Sequence, residues 1–173
     1  MLSLASLAGW EDAVLASIAG ASGTPEERDR QIERSGVYGE YPAILSAYME
    51  LHADAESGLE AVKRATFLVW RSAMALPTES AIAELPEGMS RAVVHAVDGV
   101  IRRDAGDAEL AWMLAHYVAV GRFVFELYGA TPALLRHAEA RDAEAWRHAT
   151  ITPASMALRG QLGRYWLEQA AAR

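Results

Sequence analysis

Residues 107–128 read DAELAWMLAHYVAVGRFVFELY, and this stretch decides the fold. From Leu110 to Gly121 the one strongly polar side chain is His116, and Phe123, Val124 and Phe125 continue the apolar run. A helix that is apolar nearly all round leaves no face for water and is expected to be buried. Ala111, Leu114, Val118, Gly121, Phe125 and Tyr128 recur at steps of three and four, the spacing of a packed helix seam. His116, Arg122 and Glu126 interrupt the run, which on this reading falls short of the ~20 apolar residues that a bilayer crossing requires. The stretch predicts the central helix of an all-α bundle of about eight helices, packed around 107–128 and a second apolar helix at 58–76.

The remaining helices are marked by proline. Each of the six prolines stands where helical periodicity starts or stops. Thr24-Pro25, Thr131-Pro132 and Thr152-Pro153 each place a capping threonine before a proline at the first helical position, where its missing N–H costs nothing. Glu27 completes a capping box with Thr24. The expected helices are 6–20, 25–34, 42–54, 58–76, 87–104, 107–128, 132–148 and 153–171, with a short turn near 79–85 and a possible break near Asp142. Gly36 to Pro42 reads as a helix end followed by a turn whose tyrosines seal the core edge. No strand pattern or repeat is present.

Between 42 and 76 two signals compete. Tyr48, His52, Ala55, Leu59, Val62, Thr66, Val69, Ala73 and Leu76 keep one seam without a miss, which argues for one long helix. Ser57-Gly58-Leu59-Glu60 contains a Ser-x-x-Glu capping box and a glycine that costs ~1 kcal/mol inside a helix. The expectation is a break near Asp54–Ser57.

Charge and composition exclude several functions. The net charge is −7, Lys63 is the single lysine, and there is no cysteine. A nucleic-acid binder needs a basic stripe to displace counterions from phosphates, and none is visible. A basic membrane-surface helix is missing for the same reason. Cysteine chemistry, including Cys-ligated zinc and iron–sulfur clusters, is excluded. The apolar N-terminus lacks a basic start and is broken by Glu11–Asp12, so it does not read as an export signal, and the cytoplasm is the default location.

Five histidines carry the functional suspicion. No two are four residues apart, and neither Glu-x-x-His nor His-Glu-x-x-His occurs, so no helix offers a two-histidine metal face. His95 shares a stripe with Arg91, Asp98 and Arg102 that reads as a solvated charged face. Glu144 and His148 read as a surface pair. His52 and Glu56 share a face only if the helix runs unbroken through Ser57. His116 stands apart, because its helical neighbours Trp112, Met113, Ala119 and Val120 are all apolar and a buried imidazole must find partners. Arg122 and Glu126 are expected to pair and to mark the helix's outlet to solvent. Lys63, beside Arg64, reads as exposed. The five tryptophans read as core anchors spread over five helices.

The leading expectation is a non-enzymatic, acidic interaction protein with a protein partner and no cofactor. The alternative is a helical pocket for a small ligand or metal, lined by His52, His116, Tyr48 and Trp112. Convergence of two or more of those polar groups in an enclosed pocket favours the alternative, and a solid core with an exposed apolar patch favours the interaction protein.

Overall fold

The computed structural model describes residues 2–172. The threonine caps form as their sequence positions dictate. Helix α1 (Leu4–Ala19) starts at Ser3, whose side chain accepts the Ser6 N–H. In α2 (Pro25–Arg34) both halves of the Thr24–Glu27 box are made. Gly36 then takes a left-handed φ of 73°, and a single 3-10 turn at Val37–Gly39 leads into α3 (Glu40–Leu51). Tyr41, at the start of α3, is fully buried, and Tyr38 of the turn packs at the core edge.

The chain breaks between α3 and α4 (Gly58–Met74), where expected, but by a different device. Ser57 is helical in backbone and makes no capping bond, so its box with Glu60 does not form. The Asp54 carboxylate instead accepts the N–H groups of Glu56 and Ser57 and the Ser57 hydroxyl. This local competition ends the helix. Glycine is required at 58 because a Cβ there would lie 2.5 Å from the His52 carbonyl oxygen. Glu60 is drawn away to Arg64 and Arg159.

Beyond α4 come a single turn, α5 (Pro77–Ser80), then α6 (Glu87–Arg102) and α7 (Ala108–Leu127). Eleven of the seventeen residues of α4 are buried, a larger share than the eleven of twenty in α7. The core is therefore organised around both helices, with α3, α6 and α7 against α4, α10 (Gly160–Ala171) against α1 and α8 (Pro132–Glu139) against α7. One contiguous set of buried side chains links them.

Helix α7 bends at Gly121, whose φ of −144° and ψ of 47° leave helical geometry. A Cβ at 121 would stand 2.9 Å from Trp70 Nε1 and 3.0 Å from Met74 Sδ. The close approach of α4 therefore needs the glycine. The interrupted run was expected to be too short for a bilayer, and this needs correction. At 20 residues α7 is long and apolar enough, by length and composition alone, to cross a membrane, with just over half of its most apolar window buried inside the protein.

The break near Asp142 is present, and one C-terminal expectation, the single helix 153–171, is corrected. The segment 132–148 is α8 (Pro132–Glu139) followed by a separate 3-10 turn at Ala145–His148, and Asp142 accepts the Glu144 N–H in the break. The segment 153–171 is a single turn, α9 (Pro153–Met156), and a separate helix, α10 (Gly160–Ala171). Between them Leu158 and Gly160 have φ of 58° and 55°, while the Arg159 side chain turns inward. Gly163 then packs so tightly that a Cβ would come 2.3 Å from the Met156 carbonyl oxygen. Ten α-helices result among the described residues, eight of them of seven residues or more and none accompanied by a strand.

Candidate functional site

The four residues expected to line a pocket separate into two places. Tyr48 is fully buried on α3, and its hydroxyl donates to Glu11 Oε1 at 2.5 Å. His52 caps the same helix, is exposed, and bonds through Nδ1 to the Met49 carbonyl at 3.0 Å. Trp112 and His116 lie on α7 and meet through Trp166, at ring separations of 4.6 and 5.1 Å. No hydrogen bond or ring contact joins His52 to His116 among the described residues.

His116 is half-buried rather than enclosed. Its Nε2 lies 2.6 Å from the Tyr165 hydroxyl on α10. Around this pair the chain gathers Phe67 and Trp70 from α4, Tyr117 and Trp112 from α7, and Trp146 and Trp166. Four of the five tryptophans thus converge on one cluster instead of anchoring separate parts of the core. Sequence periodicity gives each helix its inward face but not which inward faces meet. Burial lowers the His116 pKa, opposed by the Glu144 charge and the Ala143 backbone. Burial raises that of Tyr165 to about 12. With a neutral ring, Nε2 accepts the Tyr165 proton, so Tyr165→Phe leaves a nitrogen without a partner. A loss of about 1–2 kcal/mol in denaturant unfolding is expected. An unchanged midpoint would mean that the hydrogen bond contributes nothing to the fold.

A second polar assembly runs through the protein as alternating charges. Arg64 donates to Glu60, Arg159 forks onto both Glu60 and Glu109, and Lys63 reaches Glu109 and Asp107 at 2.5 and 2.6 Å. Lys63, Arg64 and Arg159 are each less than a tenth exposed. The expectation that Lys63 lies at the surface is therefore wrong. Its helix packs it beneath the start of α7, where two carboxylates compensate its burial. Burial would raise the Glu109 pKa, but the hydrogen bonds from Arg159 and Lys63 outweigh it and hold the carboxyl below its ordinary range.

Two surface readings are corrected as well. Asp98 is buried, accepting the Thr131 hydroxyl at 2.5 Å and ion-paired with the Arg102 guanidinium at 3.2 Å, because α8 starts over that face of α6. Glu144 pairs with Arg147 and not with His148, since the 3-10 turn brings i and i+3 together. The expected Arg122–Glu126 pair does form, and Glu139 joins it.

The surface is indented in several places, the two widest being open hollows beside Arg122–Glu139 and beside Tyr38–Leu76. A cavity of about 220 Å³ below the α6–α7 turn is lined by Asp104, Asp107, His137 and Arg141. Asp107 is committed there to Lys63, and no grouping of three metal-ligating side chains occurs among the described residues. A polar cleft of about 120 Å³ is bordered by Arg71, Gln161 and Tyr165. A groove of about 340 Å³ runs between Ser72–Ala73 at the end of α4 and Leu127–Tyr128 at the end of α7. Leu127 lines it, and on the same helix Val120, Phe123 and Leu127 are 52, 55 and 58% exposed.

The sequence pattern implied an outlet at Arg122 and Glu126, but not that Val120, Phe123 and Leu127 would also be bare while Val124 and Phe125 are buried. Compared with protein-family models, curated proteins and solved structures, the chain matches none.

Proposed function

We propose that this chain is a helical interaction module that receives an amphipathic helix of a partner protein along the second half of α7. One observation carries the reading. Val120, Phe123 and Leu127, three large apolar side chains around and beyond the Gly121 bend of the helix that is otherwise the apolar centre of the fold, are each more than half exposed. Large apolar side chains are seldom left to water together without a use. Helix-in-groove recognition lays a partner helix's apolar anchors into such a recess, and the α4–α7 groove, lined by Leu127, can take a partner's side chain.

Glu84 and Glu87 border the groove, and the whole chain carries −7. Both features favour a partner helix with basic residues flanking its apolar face. The same charge disfavours an anionic membrane surface as the target.

The test uses a designed helix with leucines at i, i+3, i+4 and i+7 and lysines elsewhere, followed by fluorescence anisotropy. Binding by the wild type that weakens at least tenfold in Phe123→Glu is the expected result. Two results would overturn the reading. One is equal binding by the variant. The other is concentration-dependent self-association or retention on anionic vesicles, abolished by Phe123→Glu, in place of peptide binding.

A further inference from the structure

The polar cleft between α1, α4, α5 and α10 carries an inference separate from the α7 surface. Arg71 and Arg164 line it together with Glu79 and Glu168, and its wall includes Gln161 and Tyr165. Arg164 is engaged by Asp12 at 2.8 Å. Arg71 is half-buried, with its guanidinium 5.8 Å from the centre of the Tyr165 ring, and no carboxylate lies within ion-pair distance of it among the described residues. Glu79 and Glu168 face the same small space and likewise have no cation bound. Opposite charges therefore border one cleft without closing onto each other.

Gln161 fixes the polarity of the back wall. It is 94% buried, being 6% exposed. Its amide nitrogen donates to the Ser80 carbonyl at 2.6 Å and to the Tyr41 hydroxyl. A backbone carbonyl only accepts, so the –NH2 end must be the one facing Ser80, which settles the orientation of the amide. Both of its hydrogens are thus spent inward, and Oε1, which takes no donor from the protein, is the atom left for the cleft. That oxygen and the two glutamates are acceptors suited to an ammonium group. The planar fork of Arg71, steadied over the Tyr165 ring, is suited to a carboxylate.

The geometry points to a binding site for a small zwitterion of the α-amino acid class, its carboxylate on Arg71 and its ammonium between Gln161 Oε1 and the glutamates. Size limits the ligand. About 120 Å³ corresponds to roughly four water molecules at ~30 Å³ each, which suits a molecule of about five to seven non-hydrogen atoms such as glycine, alanine or serine. Nucleotides and drug-sized ligands, whose pockets measure ~300–1,000 Å³, do not fit. A simple anion would meet Glu79 and Glu168, and a simple cation would meet Arg71 and Arg164. The two-signed lining favours a ligand that carries both charges.

The experiment is a titration of the full chain, followed by intrinsic fluorescence and calorimetry, since Trp70 and Trp166 both contact Tyr165. The probes are glycine, L-alanine, acetate, methylammonium and inorganic phosphate. Saturable binding of glycine or alanine at about 1 mM or below is expected, a strength attainable for so few atoms. Acetate and methylammonium should each bind at least tenfold more weakly. Arg71→Met keeps the stem over Tyr165 and should abolish binding. Glu168→Gln, at an exposed position, should weaken it and keeps the question open to test if Arg71→Met does not fold. Phosphate or acetate binding as tightly as glycine would make this an anion site and overturn the inference. No saturable response to either amino acid, or a response unchanged in both variants, would overturn it as well.

Discussion

Glu11→Gln is expected to make the protein more stable at pH 8 by about 3 kcal/mol and to leave stability at pH 4.5 nearly unchanged. Glu11 is 1% exposed. Burial raises its pKa from 4.5 to about 7, against the Tyr48 and Gln161 hydrogen bonds and the Arg64 charge, which act to lower it. The folded state therefore holds a proton on Glu11 between pH 4.5 and 7 that the unfolded chain has released. Stability must fall as pH rises through that window, by about 3 kcal/mol for a difference of this size. A glutamine at 11 carries no charge to bury. Its carbonyl can accept the Gln161 N–H and its amide can donate to the Tyr48 oxygen, so both contacts seen at 3.0 and 2.5 Å have a counterpart.

His116 works in the opposite sense. Its folded pKa is lowered by burial, so its contribution is complete above the ordinary 6.5 and is lost as pH falls toward the folded value. The difference between wild type and Glu11→Gln, from urea unfolding at matched pH values, cancels the His116 contribution and isolates Glu11. Parallel pH profiles for the two proteins would show that the carboxyl ionises as freely in the fold as out of it.

The second large effect is expected at Arg159. Its guanidinium donates to Glu60 at 2.6 and 2.7 Å and to Glu109 at 2.6 and 3.1 Å, which joins the α9–α10 link to α4 and α7. Arg159→Met preserves the stem and removes the charge. It leaves two carboxylates, 22 and 26% exposed, without their main partner. Removing one member of a fully buried pair costs ~3–5 kcal/mol, and partial exposure here places the loss near the lower end, about 3 kcal/mol. The loss should be largest near neutral pH and shrink as pH falls through the depressed pKa of Glu109, since a protonated Glu109 no longer needs the arginine. A loss below about 1 kcal/mol would mean that the network is no stronger than a surface ion pair.

Arg159 also shows what a single sequence conceals. The caps at Thr24, Thr131 and Thr152 are local, set by residues within a turn of one another, and their positions were legible. So were the seam of α7 and the break before Gly58, although the break is made by Asp54 and not by the capping box at Ser57. The ion network depends on residues 99 and 50 positions apart, brought together only when α10 packs on the bundle. Without that packing, Lys63 and Arg64 look like the polar face of a helix, and Arg159 looks like the middle of one. The convergence of the tryptophans around His116 and the exposure of Phe123 are hidden for the same reason. Which inward faces meet, and which stay bare, depends on long-range packing such as the close approach of Trp70 to Gly121, which has no periodic signature.

The proposed interaction surface is tested most directly by methyl NMR of the isotopically labelled protein during titration with the leucine–lysine helix. Val120 and Leu127 should shift saturably, while the buried Leu134 and Leu162 should hold their positions. Saturable shifts that leave Val120 and Leu127 unmoved would place the binding surface elsewhere and contradict the account.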